Sequence, residues 1–143
     1  MDQRQLVAVE TPEQMRQAYA IRRRVFIEEQ QVPEEIELDE DDADAWHALA
    51  LIDGRVVGCG RFVAHDDYVK IGRMAVLPEL RSEGIGRAIL LFLMDEARRR
   101  GFKRAVLHAQ LSAEGFYLKQ GYEPLGDVFE EAGIPHRKME RAL

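Results

Sequence analysis

Cysteine is almost absent from the chain: Cys59 is the one thiol in 143 residues. No disulfide can close within the molecule, and a reducing compartment fits that usage. Long apolar runs are absent too. The longest, 88–94, has seven residues, against the ~20 that a membrane-spanning helix needs, so no membrane partner is expected. The opening residues MDQRQL lack the apolar stretch of a secretion signal. Together these absences point to a cytoplasmic protein. No Gly-Lys-Ser/Thr triplet occurs, which excludes a P-loop. No long basic stripe occurs either, which argues against a nucleic-acid binder.

What is present fits one domain, 1–143, long enough to bury a hydrophobic core without staples. The net charge of −6 is unevenly placed. Segment 34–44 holds eight acids and no base, leaving 18 acids against 20 bases elsewhere. That segment reads either as a solvated surface or as a negative wall that draws a cationic amine. The slightly basic remainder leaves room for a pocket that accepts a phosphorylated cofactor.

A first strand is expected at 6–9. Thr11-Pro12-Glu13-Gln14 forms a capping box with proline in the first turn. It opens a helix over 12–29 whose apolar positions include Met15, Ala18, Ile21 and Val25, with Arg22, Arg23 and Arg24 in its second half. Val32-Pro33 ends it. Strands at 45–52 and 55–63 flank Asp53-Gly54, a strong hairpin signal. Cys59 reads as a small packing residue of the second of these strands. A third strand, 68–77, completes a meander and stops at Pro78. Segment 84–100 is the strongest helix; 104–109 is the strand it crosses to. A short helix at 112–120, with Ser112 as N-cap and Gly121 as its stop, precedes closing strands at 122–128 and 135–139. The pattern predicts a mixed α/β domain: a mostly antiparallel twisted sheet of about six or seven strands, about four flanking helices, and a parallel or splayed pair near Val76 and Leu107.

The densest stretch is 74–86, MAVLPELRSEGIG. It passes from a buried strand through a basic turn to a helix start. Gly84 and Gly86 let a ligand approach the backbone, the helix N-terminus favours anions, and Arg81 and Arg87 add charge. A dinucleotide fingerprint is excluded, because Ile89 stands where glycine or alanine is required.

Leu77-Pro78-x-x-Arg81-x-x-Gly84-x-Gly86 followed by a helix resembles motif A of the GNAT N-acetyltransferase superfamily, whose pattern is Arg/Gln-x-x-Gly-x-Gly/Ala. Gln110-x-x-Ala113-x-x-Phe116-Tyr117-x-x-x-Gly121-Tyr122 resembles its motif B. The element order agrees along essentially the whole chain. The resemblance implies acetyl-CoA as cofactor. By it, the amides of Ser82, Glu83, Gly84, Ile85, Gly86 and Arg87, with Arg81, hold the pyrophosphate. The strand edge Met74, Ala75, Val76 pairs with the pantetheine, and Gln110, Ala113, Phe116 and Tyr117 complete the cofactor site. Ser82 stands where glycine is common and Gln110 where asparagine is common, which touches loop geometry and one cofactor hydrogen bond.

Acetyl transfer needs a neutral amine, a stabilised carbonyl oxygen and a protonated leaving thiolate. The N–H of Val76 suits the second task. Tyr117 suits the third, as the resemblance implies. Four histidines, His47, His65, His108 and His136, are candidate bases. The stretch from Gly126-Asp127-Val128-Phe129 through Pro135-His136 resembles the YjcF/ElaA-like branch, including glyphosate N-acetyltransferases. That resemblance implies His136 as base and Arg22 and Arg73 as anion-binding residues, with Gln110 replacing a third arginine. Deprotonation through water by Glu28 or Glu29 is the alternative. The leading reading is an N-acetyltransferase acting on a small-molecule primary or secondary amine by direct attack in a ternary complex. A protein or peptide acetyltransferase and a non-catalytic acetyl-CoA-binding module are the competing ones. No metal is expected, and a homodimer is common in the families the chain resembles.

Overall fold

The computed structural model describes residues 3–143. Its centre is a seven-stranded sheet in the order β1-β2-β3-β4-β5-β7-β6. The strands are β1 (Arg4–Ala8), β2 (Trp46–Ile52), β3 (Arg55–Ala64), β4 (Tyr68–Val76), β5 (Arg104–Gln110), β6 (Glu123–Glu131) and β7 (Ile134–Ala142). Every neighbouring pair is antiparallel except β4 and β5. Helix α3 (Ile85–Arg99) makes the crossover between those two, as a parallel pair requires.

Helix α1 (Pro12–Arg22) opens on the expected capping box, with Gln14 N–H donating to the Thr11 hydroxyl. The α-helix then stops earlier than the periodicity predicts. Segment Arg23–Glu29 winds on as a π-helix, in which Gln30 N–H reaches back five residues to Val25 O. Apolar spacing alone does not distinguish the wider turn from a continuing α-helix. Helix α3 buries Ile85, Ile89, Leu90, Leu93, Met94 and Ala97 against the sheet. It presses so close to β3 that a Cβ on Gly58 or Gly60 would lie 2.9 Å from Ile89. Cys59, between those glycines, is buried, and burial pushes its thiol up to about 12; it is an inert packing group.

Helix α4 (Glu114–Lys119) corrects the expectation for 112–120. A 3₁₀ turn, Leu111–Ala113, comes first, and Ala113 is the cap residue with no side-chain bond. Ser112 therefore lies inside a turn rather than at a helix start. The closing strands run longer than predicted and join at Ala132-Gly133, both at positive φ. β6 is the exposed edge of the sheet, and six of its nine residues in succession are exposed, so it lacks the alternation that marks a half-buried strand.

The acidic segment folds as α2 (Glu34–Glu37) and a 3₁₀ turn, Glu40–Ala43. It turns inward, so neither expectation describes it whole. Glu37 and Asp42 are buried, and with Asp39 they pair with Arg22, Arg61 and Arg73. Three carboxylates thus meet three guanidinium groups. None of the described helices is long and apolar enough to cross a membrane.

Candidate active site

β4 and β5 pair only from Tyr68↔Arg104 to Ile71↔Leu107. β4 then runs on to Val76 and β5 to Gln110 without contact in register, and a cleft of about 990 Å³ opens in the gap. The divergence begins where Arg73 takes a positive φ of 52° and the β3–β4 register shifts.

Leu77 N–H donates to Val57 O, and Ala75 lies opposite Cys59. Backbone groups alternate in direction along a strand, so Val76 turns its N–H away from β3 and toward the gap. Its carbonyl faces the same way and accepts a 3.1 Å bond from Arg81 Nε. Met74, Ala75 and Val76 thus present an unpaired sheet edge to the cleft.

At one end lies the turn into α3. Arg81, Ser82, Gly84, Ile85, Gly86 and Arg87 all line the cleft. Glu83 does not; its carbonyl accepts a 2.8 Å bond from Arg4, which fastens the turn from outside. Gly84 sits at φ +83° as the cap residue of α3, and no side chain caps the helix. The first amides of a 15-residue helix are therefore left for another acceptor. Gly86 has an ordinary φ, and a Cβ there would meet nothing nearer than 3.9 Å. The backbone conformation at 86 does not demand glycine, and its lack of a side chain leaves the backbone open to the cleft.

Across the gap stand Gln110, Ala113, Phe116 and Tyr117. The Tyr117 hydroxyl points at β4 and donates to Met74 Sδ over 3.8 Å. Burial pushes its phenol up to about 12. The Gln110 amide donates to Gln30 Oε1 at 2.9 Å, joining the end of β5 to the end of the π-helix.

The far end holds Arg73, His65, Lys70, His108, Glu131 and His136. Register puts His108 and Gln110 of β5, Phe129 and Glu131 of β6, and His136 of β7 on one face of the sheet. His136 is buried. Its Nδ1 lies 2.6 Å from Ile134 O. A carbonyl only accepts, so Nδ1 carries a proton, and in the neutral ring Nε2 is the nitrogen with a free lone pair. Glu131 Oε1 lies 2.9 Å from His108 Nδ1. The His108 hydrogen bond, against burial, holds the Glu131 carboxyl below its ordinary range.

Two expected substrate residues lie elsewhere. Arg22 is 1% exposed and lines no part of the cleft. Its guanidinium binds Glu37 and Asp42 through five hydrogen bonds, so it is held inside the network and away from any ligand in the cleft. Glu28 is exposed and also outside the cleft, and Glu29 is committed to Arg81. Neither is placed to draw a proton through water. His47 packs its Nε2 against Asp42 O, away from the cleft. Glu131 was not among the sequence candidates. Its signal was the Ala-Gly turn that follows it: with the hairpin placed there, alternation carries Glu131 to the same face as His136.

The comparisons agree with this geometry. An acetyltransferase (GNAT) domain family model matches residues 6–143. The chain belongs to the GNAT acetyltransferase family. This GNAT enzyme is similar to the uncharacterized N-acetyltransferase YjcF of Bacillus subtilis, with 38% identity over 134 residues, 93% of this chain and 96% of YjcF. It superposes on Escherichia coli ElaA with a TM-score of 0.85 at 30% identity, covering 99% of both chains. An acyl-CoA N-acyltransferase from Pseudomonas aeruginosa gives 0.85 at 26% identity, over 99% of this chain and all of that one. Membership of the YjcF/ElaA-like branch follows, and with it N-acetyltransferase chemistry on an acyl-CoA co-substrate. The residues present fit such a group: uncapped helix amides, a side-chain-free Gly86 and an open strand edge line one cleft.

Proposed function

We propose that the enzyme transfers the acetyl group of acetyl-CoA to a primary or secondary amine of a small molecule, by direct attack within a ternary complex. The observation that carries this reading is that the Tyr117 hydroxyl and His136 Nε2 stand in one cleft beside the unpaired edge of β4. Both sides of an acyl transfer are thereby served from one space.

The amides of 82–87 hold the diphosphate at the α3 N-terminus, where the helix dipole favours negative charge. The edge Met74–Val76 takes an amide-bearing chain as an added strand. The thioester supplies an acetyl group activated for attack by an amine. Val76 N–H, aimed into the gap, steadies the carbonyl oxygen as it gains charge. Tyr117 gives its proton to the departing sulfur; a phenol pushed up to about 12 is fully protonated near neutral pH. His136 Nε2 takes the proton from the amine.

A small acceptor is favoured over a basic peptide because Glu37, Asp39 and Asp42 are neutralised by internal arginines. Arg73 pairs with Asp39 through Nη2 but also lines the acceptor end, and its Nη1, which carries no hydrogen bond among the described residues, suits an anionic group on the same molecule. The test is release of free thiol from acetyl-CoA over a panel of amines and peptides. The reading expects release with small amines and its loss by about 10²-fold or more in Tyr117→Phe. Binding without release across the panel would favour a non-catalytic module.

A further inference from the structure

Glu131 Oε2 and His136 Nε2 face each other at 3.8 Å. With the ring neutral and Nδ1 bound to Ile134 O, Nε2 is an acceptor, and an ionised carboxylate only accepts. Two acceptors thus confront one another with no proton between them. The separation is too long for a direct hydrogen bond, but it lets one nitrogen sit about 2.8 Å from both.

We infer that this gap is the seat of the acceptor's ammonium group, bound to the Glu131 carboxylate and the His136 imidazole at once. The inference rests on the reading of His136 as base and adds the residue that holds the amine before it reacts. An amine reaches the cleft mostly as ammonium. Glu131 supplies the charge that holds it, and one N–H points at His136 Nε2. The N–H bond breaks, the proton bonds to Nε2, and the electron pair stays on the amine nitrogen. The imidazolium so formed pairs with Glu131, which keeps its negative charge.

The surroundings hold this arrangement in place. Glu131 Oε1 is fixed by His108 of β5, leaving Oε2 for the ligand. Phe129 packs against both rings, at 5.1 Å from His108 and 6.0 Å from His136. Lys70 of β4 is the other cation facing Glu131; it makes no ion pair with it among the described residues. Glu131 is 43% exposed at its side chain and His136 8%, so a ligand reaches the carboxylate first.

The test is nitrogen NMR of the histidine rings in the full chain near neutral pH, with ethylammonium chloride as probe and ethanol as its uncharged counterpart. The expected result is a bare Nε2 on His136, a saturable Nε2 shift with ethylammonium and none with ethanol. Glu131→Gln should need about tenfold more ethylammonium for the same shift, and Glu131→Ala should behave alike should the first variant fold poorly. A protonated Nε2 before the probe is added, no saturable shift, or equal responses in wild type and variant would overturn the seat. Failure of the base reading looks different: His136→Ala would then keep its turnover rate while wild-type His136 still showed the saturable ethylammonium shift and Glu131→Gln still weakened it.

Discussion

Arg81 and Glu29 are clasped by two hydrogen bonds of 2.7 Å, which tie the turn before α3 to the last residue of the π-helix. Both side chains are about 40% exposed, at 40% and 37%, so the pair adds little stability. Its consequence is for binding. Arg81 lies in the cleft beside the α3 amides, and Glu29 holds the charge that an incoming phosphate would use.

Glu29→Gln should therefore tighten coenzyme A binding by about twofold to fivefold at low salt, and the gain should shrink as salt rises. Isothermal titration of wild type and variant checks this. Equal affinities at low salt would mean that Arg81 contributes through its bond to Val76 O and not through charge.

Arg22 carries a stability prediction in place of the substrate role. Arg22→Met leaves Glu37 and Asp42 buried without their main partner, and breaking such a pair costs about 3–5 kcal/mol. Urea unfolding reads the loss directly. A change below about 1 kcal/mol would contradict the burial of the network.

The same network sets an acid limit. Burial opposes ionisation of Asp42, but hydrogen bonds and charge from Arg22 and Arg61 outweigh it and hold the carboxyl below its ordinary 3.8. Hydrogen bonds from Arg61, against burial, do the same for Asp39. Depressed carboxylates stabilise the fold fully above their unfolded value, and that stability is lost as pH falls through the folded one. Urea midpoints should stay level down to about pH 4 and drop below it. Stability that rose on acidification through this range would contradict the pairing.

Tyr117 predicts the alkaline side of catalysis. An ordinary tyrosine loses its proton near pH 10, whereas burial pushes Tyr117 up to about 12. A proton donor of that kind should keep the rate from falling between about pH 9 and 10. The pH–rate profile with a neutral-reacting amine checks it. A decline centred near pH 10 would show that the phenol titrates as if exposed.

Much of this architecture is written locally. The capping box at Thr11, the Asp53-Gly54 turn and the apolar face of α3 each depend on residues a few positions apart, and each appears where spacing puts it. The cofactor side of the cleft is legible for the same reason: 81–87 is one continuous turn. The acceptor side is not, because its contacts join distant segments. Arg22 belongs to the buried stripe Ala18, Ile21, Arg22, Val25, so its helical position hinted at burial. The partners that make burial tolerable, Glu37 and Asp42, lie 15 and 20 residues on. The acidic segment looked like surface because no local rule pairs it with Arg61 or Arg73. Glu131 falls beyond the closing strand predicted at 122–128; carrying that strand on to the turn at Ala132-Gly133 restores the alternation that joins it to His136.

Gly86 offers the most direct measurement. Its φ suits any residue, and a Cβ there would make only ordinary contacts, 3.9 Å from Val76 and 4.0 Å from Phe116, unlike Gly84, whose φ of +83° would strain any replacement. Isothermal titration of acetyl-CoA into wild type and Gly86→Val should show binding by the first and a loss of about tenfold or more in the second, with an unchanged thermal midpoint. Equal affinities in two equally stable proteins would contradict the placing of the acyl-CoA diphosphate at the start of α3.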